Sequence, residues 1–238
     1  MVPGHLGKES RFVEGFALGM WQTNCYLLGD AEQGKAVVID PGQDGGPVVQ
    51  ERLRARGVAC EAILLTHGHL DHVWAVPELA RALDVPVLLH GDDRWLWDDP
   101  AAGFGMPVRG LRAQFGLDWQ PPSERLEALR DGQTLSFAGY AIEVRHTPGH
   151  TPGSCVFLLT DTGQDDPLLV SGDLIFAGSV GRTDLPRGSW DQQMSSIRRA
   201  VLPLADRTVI APGHGPGTTV GRERATNPFL RDLQAQER

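Results

Sequence analysis

The 238-residue chain predicts an α/β fold in which two β-sheets are covered by outer helices, and three observations carry that prediction. Apolar runs of strand length recur through both halves and are punctuated by Gly, Pro or Asp. Stretches with recognisable helix starts and stops lie between them. Four of the apolar runs lead directly into histidine or aspartate, so one edge of the sheets would gather polar groups into a single pocket. Such layers bury one sheet against the other and the outer faces beneath helices.

Taken in order, strands are expected at Phe12–Leu18, Asn24–Leu28 and Ala36–Ile39. Asp40-Pro41-Gly42 ends the third, because proline and glycine break ladder pairing. A helix fits Gly46–Arg56 and stops at Gly57, and Ala62–Leu65 returns to strand. Pro77 suits a first helical position, with Glu78–Leu83 continuing to Asp84 before a strand at Val85–Leu89. Thr134–Phe137 and Ala141–Val144 read as a hairpin across Ala138-Gly139. Strands at Cys155–Leu159 and Leu168–Val170 flank a polar turn. Ser189 caps a helix running towards Val201, with Asp191 well placed in its positive first turn. Thr208–Ile210 is the last strand, and a helix at Asn227–Leu233 closes the chain.

Residues 1–238 are read as one domain, with residues 1–10 a loose tail. Asp98 to Pro122 stands apart, broken by Gly103, Gly105, Pro107, Gly110, Gly116, Pro121 and Pro122. Long irregular insertions tend to be lids or mobile loops. Trp95, Trp97, Phe104, Met106, Phe115 and Trp119 either line a substrate cleft there or pack the insertion onto the body; both readings stand.

Composition narrows the function. The chain is 41% hydrophobic and 22% charged, ordinary for a globular protein, and its net charge of −8 argues against a nucleic-acid surface. Cys25, Cys60 and Cys155 are scattered and odd in number, so they read as buried thiols in a reducing compartment. No continuous apolar signal segment and no membrane-spanning run is present, which makes the cytoplasm the expected location.

The chemistry is concentrated in Thr66-His67-Gly68-His69-Leu70-Asp71-His72, directly after an apolar run. His67 and His69 are two apart and point the same way in extended chain, while Asp71 and His72 follow where the chain turns. One ion rarely takes four ligands from one short loop, whereas two neighbouring ions do. Three further groups sit in similar settings: His150 in a Pro- and Gly-rich turn, Asp173 after Leu168-Leu169-Val170, and His214 after Val209-Ile210-Ala211. All seven offer imidazole nitrogen or carboxylate oxygen and no thiolate, a set that suits zinc first, or iron or manganese.

The pattern His-x-His-x-Asp-His followed by separate His, Asp and His resembles the metallo-β-lactamase fold hydrolases. Thr147-Pro148-Gly149-His150-Thr151 and Gly172-Asp173 look most like the glyoxalase II branch, the ending from His214 to Arg224 with Asn227-Pro228-Phe229-Leu230 resembles its shorter, glyoxalase II-like members, and the likeness runs from about Asn24 to Leu230. It implies an αββα sandwich of two mixed sheets flanked by helices. It also implies that His67, His69 and His150 hold one divalent ion and that Asp71, His72 and His214 hold the other, with Asp173 bridging. Asp40 is implied as a support for a ligand histidine. Thr66 would hold the loop by hydrogen bonding, and His146 is read either as a further support or as a satisfied strand-end histidine. The chain departs from the better-known glyoxalase II enzymes by ending soon after Leu233 and by carrying Gly215-Pro216 where they commonly have tyrosine.

Two bridged ions would share a hydroxide as nucleophile, oriented by Asp71, and would stabilise the oxyanion. A thiol leaving group, with a pKa near roughly 8.5, departs without a strong acid, which favours a thioester such as a hydroxyacyl-glutathione, or an activated lactone. A mononuclear iron persulfide dioxygenase is the second enzymatic reading, since such enzymes share a Gly-Arg-Thr-Asp segment like Gly181–Asp184. A non-enzymatic metal-binding protein is disfavoured, because structural zinc sites are often rich in thiolates. Arg182 either forks onto a substrate carboxylate or pairs internally with Asp184.

Overall fold

The computed structural model describes residues 5–7, 10–107, 109–162 and 166–235. Its first sheet runs in chain order: β1 (His5–Gly7), β2 (Arg11–Leu18), β3 (Thr23–Asp30), β4 (Lys35–Ile39), β5 (Ala59–Leu64), β6 (Val87–His90) and β7 (Leu126–Leu129). The first four strands form an antiparallel meander, and β4 to β7 pair in parallel. The second sheet contains β8 (Thr134–Phe137), β9 (Tyr140–His146), β10 (Cys155–Leu159) and β11 (Leu168–Gly172). A small ribbon, β12 (Ile175–Phe176) with β13 (Ser179–Val180), follows. The second sheet is completed by β14 (Val209–Pro212) and β15 (Thr218–Thr219), in the order β15-β14-β11-β10-β9-β8.

Helices connect and cover these strands: α1 (Gly45–Arg56), α2 (Leu70–Val73), α3 (Val76–Leu83), α4 (Arg94–Asp98), α5 (Arg109–Phe115), α6 (Trp190–Ala200), α7 (Val220–Thr226) and α8 (Pro228–Ala235). Side-chain alternation along single strands builds three apolar layers. On β3, Cys25 and Leu27 face α1 and α3, whereas Tyr26 and Leu28 face the other sheet. On β10, Phe157 and Leu159 fill that central layer, while Val156 and Leu158 pack with Ile197 of α6 and Leu230 of α8. The result is the αββα sandwich, with strands buried on both faces.

Most expected elements appear within a few residues of their expected bounds, including the Ala138-Gly139 hairpin and the Ser189 cap, whose side chain accepts from Gln192 N. Two expectations need correction. Residues 5–7, read as part of a loose tail, pair antiparallel with β2, while residues 1–4, 8 and 9 lie outside the described residues. The stretch 98–122 is less irregular than its glycines suggest, carrying a 3-10 turn at Pro100–Phe104 and helix α5. Leu111 of α5 packs with Leu70 and Ala101, so buried contacts override the local breakers. No helix among the described residues is long and apolar enough to cross a membrane.

Candidate metal centre

The C-terminal ends of β4, β5, β11 and β14, with the turn after β9, meet at one edge of the sandwich. The sheets are stitched together there. Asn24 N donates to Gly213 O at 2.7 Å, and Tyr26 OH donates to Pro212 O at 2.7 Å. The seven ligand-type side chains converge at this edge in three overlapping groups: His67, His69 and His150; His67, His72 and Asp173; and Asp71, His72 and His214. His67, His69, His72 and His150 are buried, whereas Asp71, Asp173 and His214 are partly open.

Local chain geometry explains the division. His67 and His69 precede α2 in extended chain and share a group, and the turn of α2 carries Asp71 and His72 to the next one. Asp173 leaves β11, and Gln193 of α6 holds its backbone by donating to Asp173 O and Leu174 O. Asp173 lies 3.4 Å from His72 Nε2, 3.5 Å from His150 Nε2 and 3.6 Å from His214 Nε2, between the two outer groups. Gly213 must lack a side chain, since a Cβ there would overlap Asp173 Oδ1 and sit 2.8 Å from His72 Cε1.

Hydrogen bonds at the far side of each ring fix which nitrogen is free. A carbonyl only accepts, so His150 donates Nδ1–H to Arg182 O at 2.7 Å, and His214 donates Nδ1–H to Trp21 O at 3.2 Å. His72 Nδ1 lies 3.0 Å from Asp40 Oδ2. Thr66 Oγ1 donates to the same Asp40 oxygen at 2.6 Å and so accepts from His67 Nδ1 at 3.1 Å. Four imidazoles are thereby held in the tautomer whose Nε2 carries a lone pair facing the cluster. His69 differs, because its Nδ1 faces His150 Nε2 at 2.8 Å.

Several of the atoms facing the cluster lack protein partners. The Nε2 atoms of His67, His69 and His72, and Oδ1 of Asp173, are buried without a well-formed hydrogen bond among the described residues. Orphaned buried polar atoms are costly, and so many at one point fit cations as their missing partners. The titration pattern is divided between neutral rings and a ring that draws a positive charge into the cluster. Burial, then the neighbouring histidines, drives the His67 pKa well down, and burial lowers His69 to about 3. Burial opposes the charge on His72, yet the carboxylates of Asp71, Asp173 and Asp40 raise its pKa well above the usual value. Burial also opposes ionisation of Asp71 and Asp173, but His72 beside them holds both carboxyls below the ordinary range.

Asp40 and Thr66 therefore touch the cluster histidines His72 and His67, with Asp40 also accepting from Thr66 N at 2.8 Å. His146 does not. Its Nε2 donates to Pro152 O at 2.8 Å and its ring stacks on His90, which matches the alternative reading of a satisfied strand-end histidine. Arg182 turns its guanidinium to Asp184 in a forked pair at 2.6 and 2.7 Å, and only its backbone carbonyl reaches His150.

Asp93 is the main residue that the sequence reading missed. Fully buried, it accepts from Gly68 N at 2.9 Å, Thr151 Oγ1 at 2.7 Å and Gly153 N at 2.7 Å, tying together the loops of His67, His69 and His150. The signal was present: Asp92-Asp93 follows an apolar strand, as Asp173 does. Trp21 was also missed. It stacks on Phe104 at 6.3 Å, next to Gly103, where a Cβ would lie 3.1 Å from His69 Cδ2. Of the aromatic set, Trp97 is buried core and Trp119 donates to its carbonyl, so these pack the insertion. Phe104 remains open beside the cluster.

The chain belongs to the metallo-β-lactamase superfamily, which it matches over residues 18–214. It is 36% identical over 214 residues to the Haemophilus influenzae hydroxyacylglutathione hydrolase GloC, covering 88% of this chain and 93% of that protein. An uncharacterized Mycobacterium tuberculosis protein is 38% identical over 222 residues, covering 93% and 98% respectively. Among solved structures, the BLEG-1 B3 metallo-β-lactamase superposes with a TM-score of 0.80 at 36% identity, covering 92% of this chain and 99% of that one. A protein crystallised in a di-iron-bound form gives 0.74 at 39% identity, covering 91% and 100%.

Proposed function

We propose that this protein is a dinuclear-metal-dependent hydrolase of glyoxalase II type that cleaves a thioester, with a hydroxyacyl-glutathione as the first candidate. The observation that carries the proposal is the set of oriented, unpartnered ring nitrogens around Asp173. His67, His69 and His150 would hold one divalent ion and Asp71, His72 and His214 the other, with Asp173 shared. When bound, such ions supply Lewis-acid polarisation and a water acidified towards neutral pH. Zinc is the first expectation from the N/O donor set, with iron close behind, since a similar protein is known in di-iron form.

The chain's own residues prepare the reaction. Asp71 is held by Thr23 Oγ1, which donates to Oδ2 at 3.0 Å, so its carboxylate is aimed before substrate arrives. Trp21 and Phe104 form an apolar wall beside His214 and His69, suited to the carbon skeleton of an acyl group. Phe176, 6.1 Å from the His214 ring, stands near the same histidine. Residues 98–122 form the rim that carries Phe104. No strong general acid is needed if the leaving group is a thiol.

A metal-quantified activity screen across S-lactoylglutathione, other thioesters, lactones and glutathione persulfide tests this reading. Thioester hydrolysis at the highest kcat/KM supports it. Rapid iron-dependent oxygen consumption with glutathione persulfide overturns it, and a lactone preference moves the assignment to lactonase.

A further inference from the structure

The loop between Arg182 and Ser189 leaves the cluster at His150 and returns beside it. Arg182 O accepts the Nδ1 proton of His150 at 2.7 Å, and Ser189 N donates to Gly149 O at 2.8 Å. Between these anchors Gly188 N donates to Leu185 O at 2.9 Å, in a turn so tight that a Cβ on Gly188 would lie 2.3 Å from Thr183 O. The tip of the loop meets the rim that carries Phe104, where a Cβ on Gly105 would touch Pro186 Cγ at 3.9 Å. Next along the chain, Arg187 lays its guanidinium over the Trp95 ring, 4.3 Å from the centroid. We propose that Arg187 is a specificity-determining residue that holds a carboxylate on the thiol half of the substrate, an assignment that rests on the thioesterase reading of the cluster.

Three properties set Arg187 apart. Its backbone is left-handed, φ 66°, a conformation unfavourable for a residue other than glycine. Strain of this kind persists where surrounding contacts fix the chain, and it gathers at ligand sites. Stacking on Trp95 occupies one face of the guanidinium and leaves its N–H edge free to donate. The charge is also uncompensated. Arg182 pairs with Asp184 and Arg94 with Asp98, whereas among the described residues the exposed Arg187 has no carboxylate partner, in a chain of net charge −8. Position selects the half of the substrate. Trp21 and Phe104 wall the side of His214 and His69 and suit the acyl skeleton. A thioester with its carbonyl over the cluster then turns its sulfur substituent to the side of His150, where this loop begins and ends. A guanidinium edge takes a carboxylate through paired N–H···O bonds, which favours a thiol that carries a carboxylate, such as glutathione, over a neutral one.

The test compares wild type with Arg187→Gly on two thioesters of one acyl group, S-lactoylglutathione and the uncharged S-lactoyl-N-acetylcysteamine. Glycine suits φ 66°, so the substitution removes the guanidinium without straining the loop, and circular dichroism checks the fold. The ratio of kcat/KM for the charged thioester to that for the neutral one should fall at least about tenfold in Arg187→Gly, through KM. An unchanged ratio overturns the proposal. Calorimetric titration with S-propylglutathione, which keeps the carboxylates and has no thioester, gives a second measurement. Binding at least about tenfold weaker in the variant supports Arg187 as the carboxylate holder, and equal affinity, or no binding by wild type, refutes it. If neither thioester is cleaved, the thioesterase reading fails by itself and the titration still decides the role of Arg187.

Discussion

Asp40 Oδ2 accepts the Nδ1 proton of His72 at 3.0 Å from a left-handed backbone position, φ 51°, that is unfavourable for a residue other than glycine. Strain of this kind persists where surrounding contacts over-determine it, and here Thr66 N and Thr66 Oγ1 hold the same carboxylate. Asp40→Ala frees the His72 tautomer and weakens ion binding by about 10–100-fold. Competition against a chromophoric chelator measures this. Unchanged affinity would show that His72 needs no such support.

Asp93→Ala removes the acceptor for two buried backbone N–H groups and one hydroxyl. Each stranded donor costs about 1–3 kcal/mol, so urea unfolding should show a loss of about 3 kcal/mol or more. Retained ions per chain should fall as well, because the loops of His67, His69 and His150 lose their common anchor.

The strands, the capped helices and the seven ligand-type residues were legible because each follows from local pattern: apolar alternation, a cap residue, a polar group after a strand. Asp93 was not, because its role depends on two loops that meet only in three dimensions. Arg182 was read as a fork for substrate or for Asp184, and spacing alone could not choose between them; in the fold its guanidinium is turned to Asp184. The helical turns within residues 98–122 were hidden by glycines and prolines whose local cost is outweighed by burial of Leu111 and Ala101.

The metal-free protein should be most stable near pH 6.5. His67 and His69 have depressed pKa values, so below their ordinary 6.5 the unfolded chain takes up protons that the fold refuses, and stability falls with acidity. His72 and His214 have raised values, so their contribution is present below 6.5 and is lost as pH rises through the folded pKa. Asp71 and Asp173 are depressed, and their contribution disappears as pH falls below 3.8 through the folded values. Loading the ions requires neutral imidazoles, so the alkaline decline should vanish and the acid decline steepen. Calorimetric Tm from about pH 5 to about pH 9, with and without chelator, reads both effects.

Arg182→Ala should leave both KM and Tm little changed, since the guanidinium is turned to Asp184 in an exposed pair that adds little stability and His150 is held by a backbone carbonyl that the substitution keeps. A strongly raised KM would place the guanidinium on the substrate instead.

The most direct test of the proposed two-ion cluster is a titration of metal-free protein with Zn2+ or, anaerobically, Fe2+, following hydrolysis of whichever substrate the activity screen shows to be cleaved fastest. Activity should climb to its plateau at about two equivalents per chain, with Asp173→Ala failing to reach it. A plateau at one equivalent, with full activity retained in Asp71→Ala, would contradict the dinuclear account.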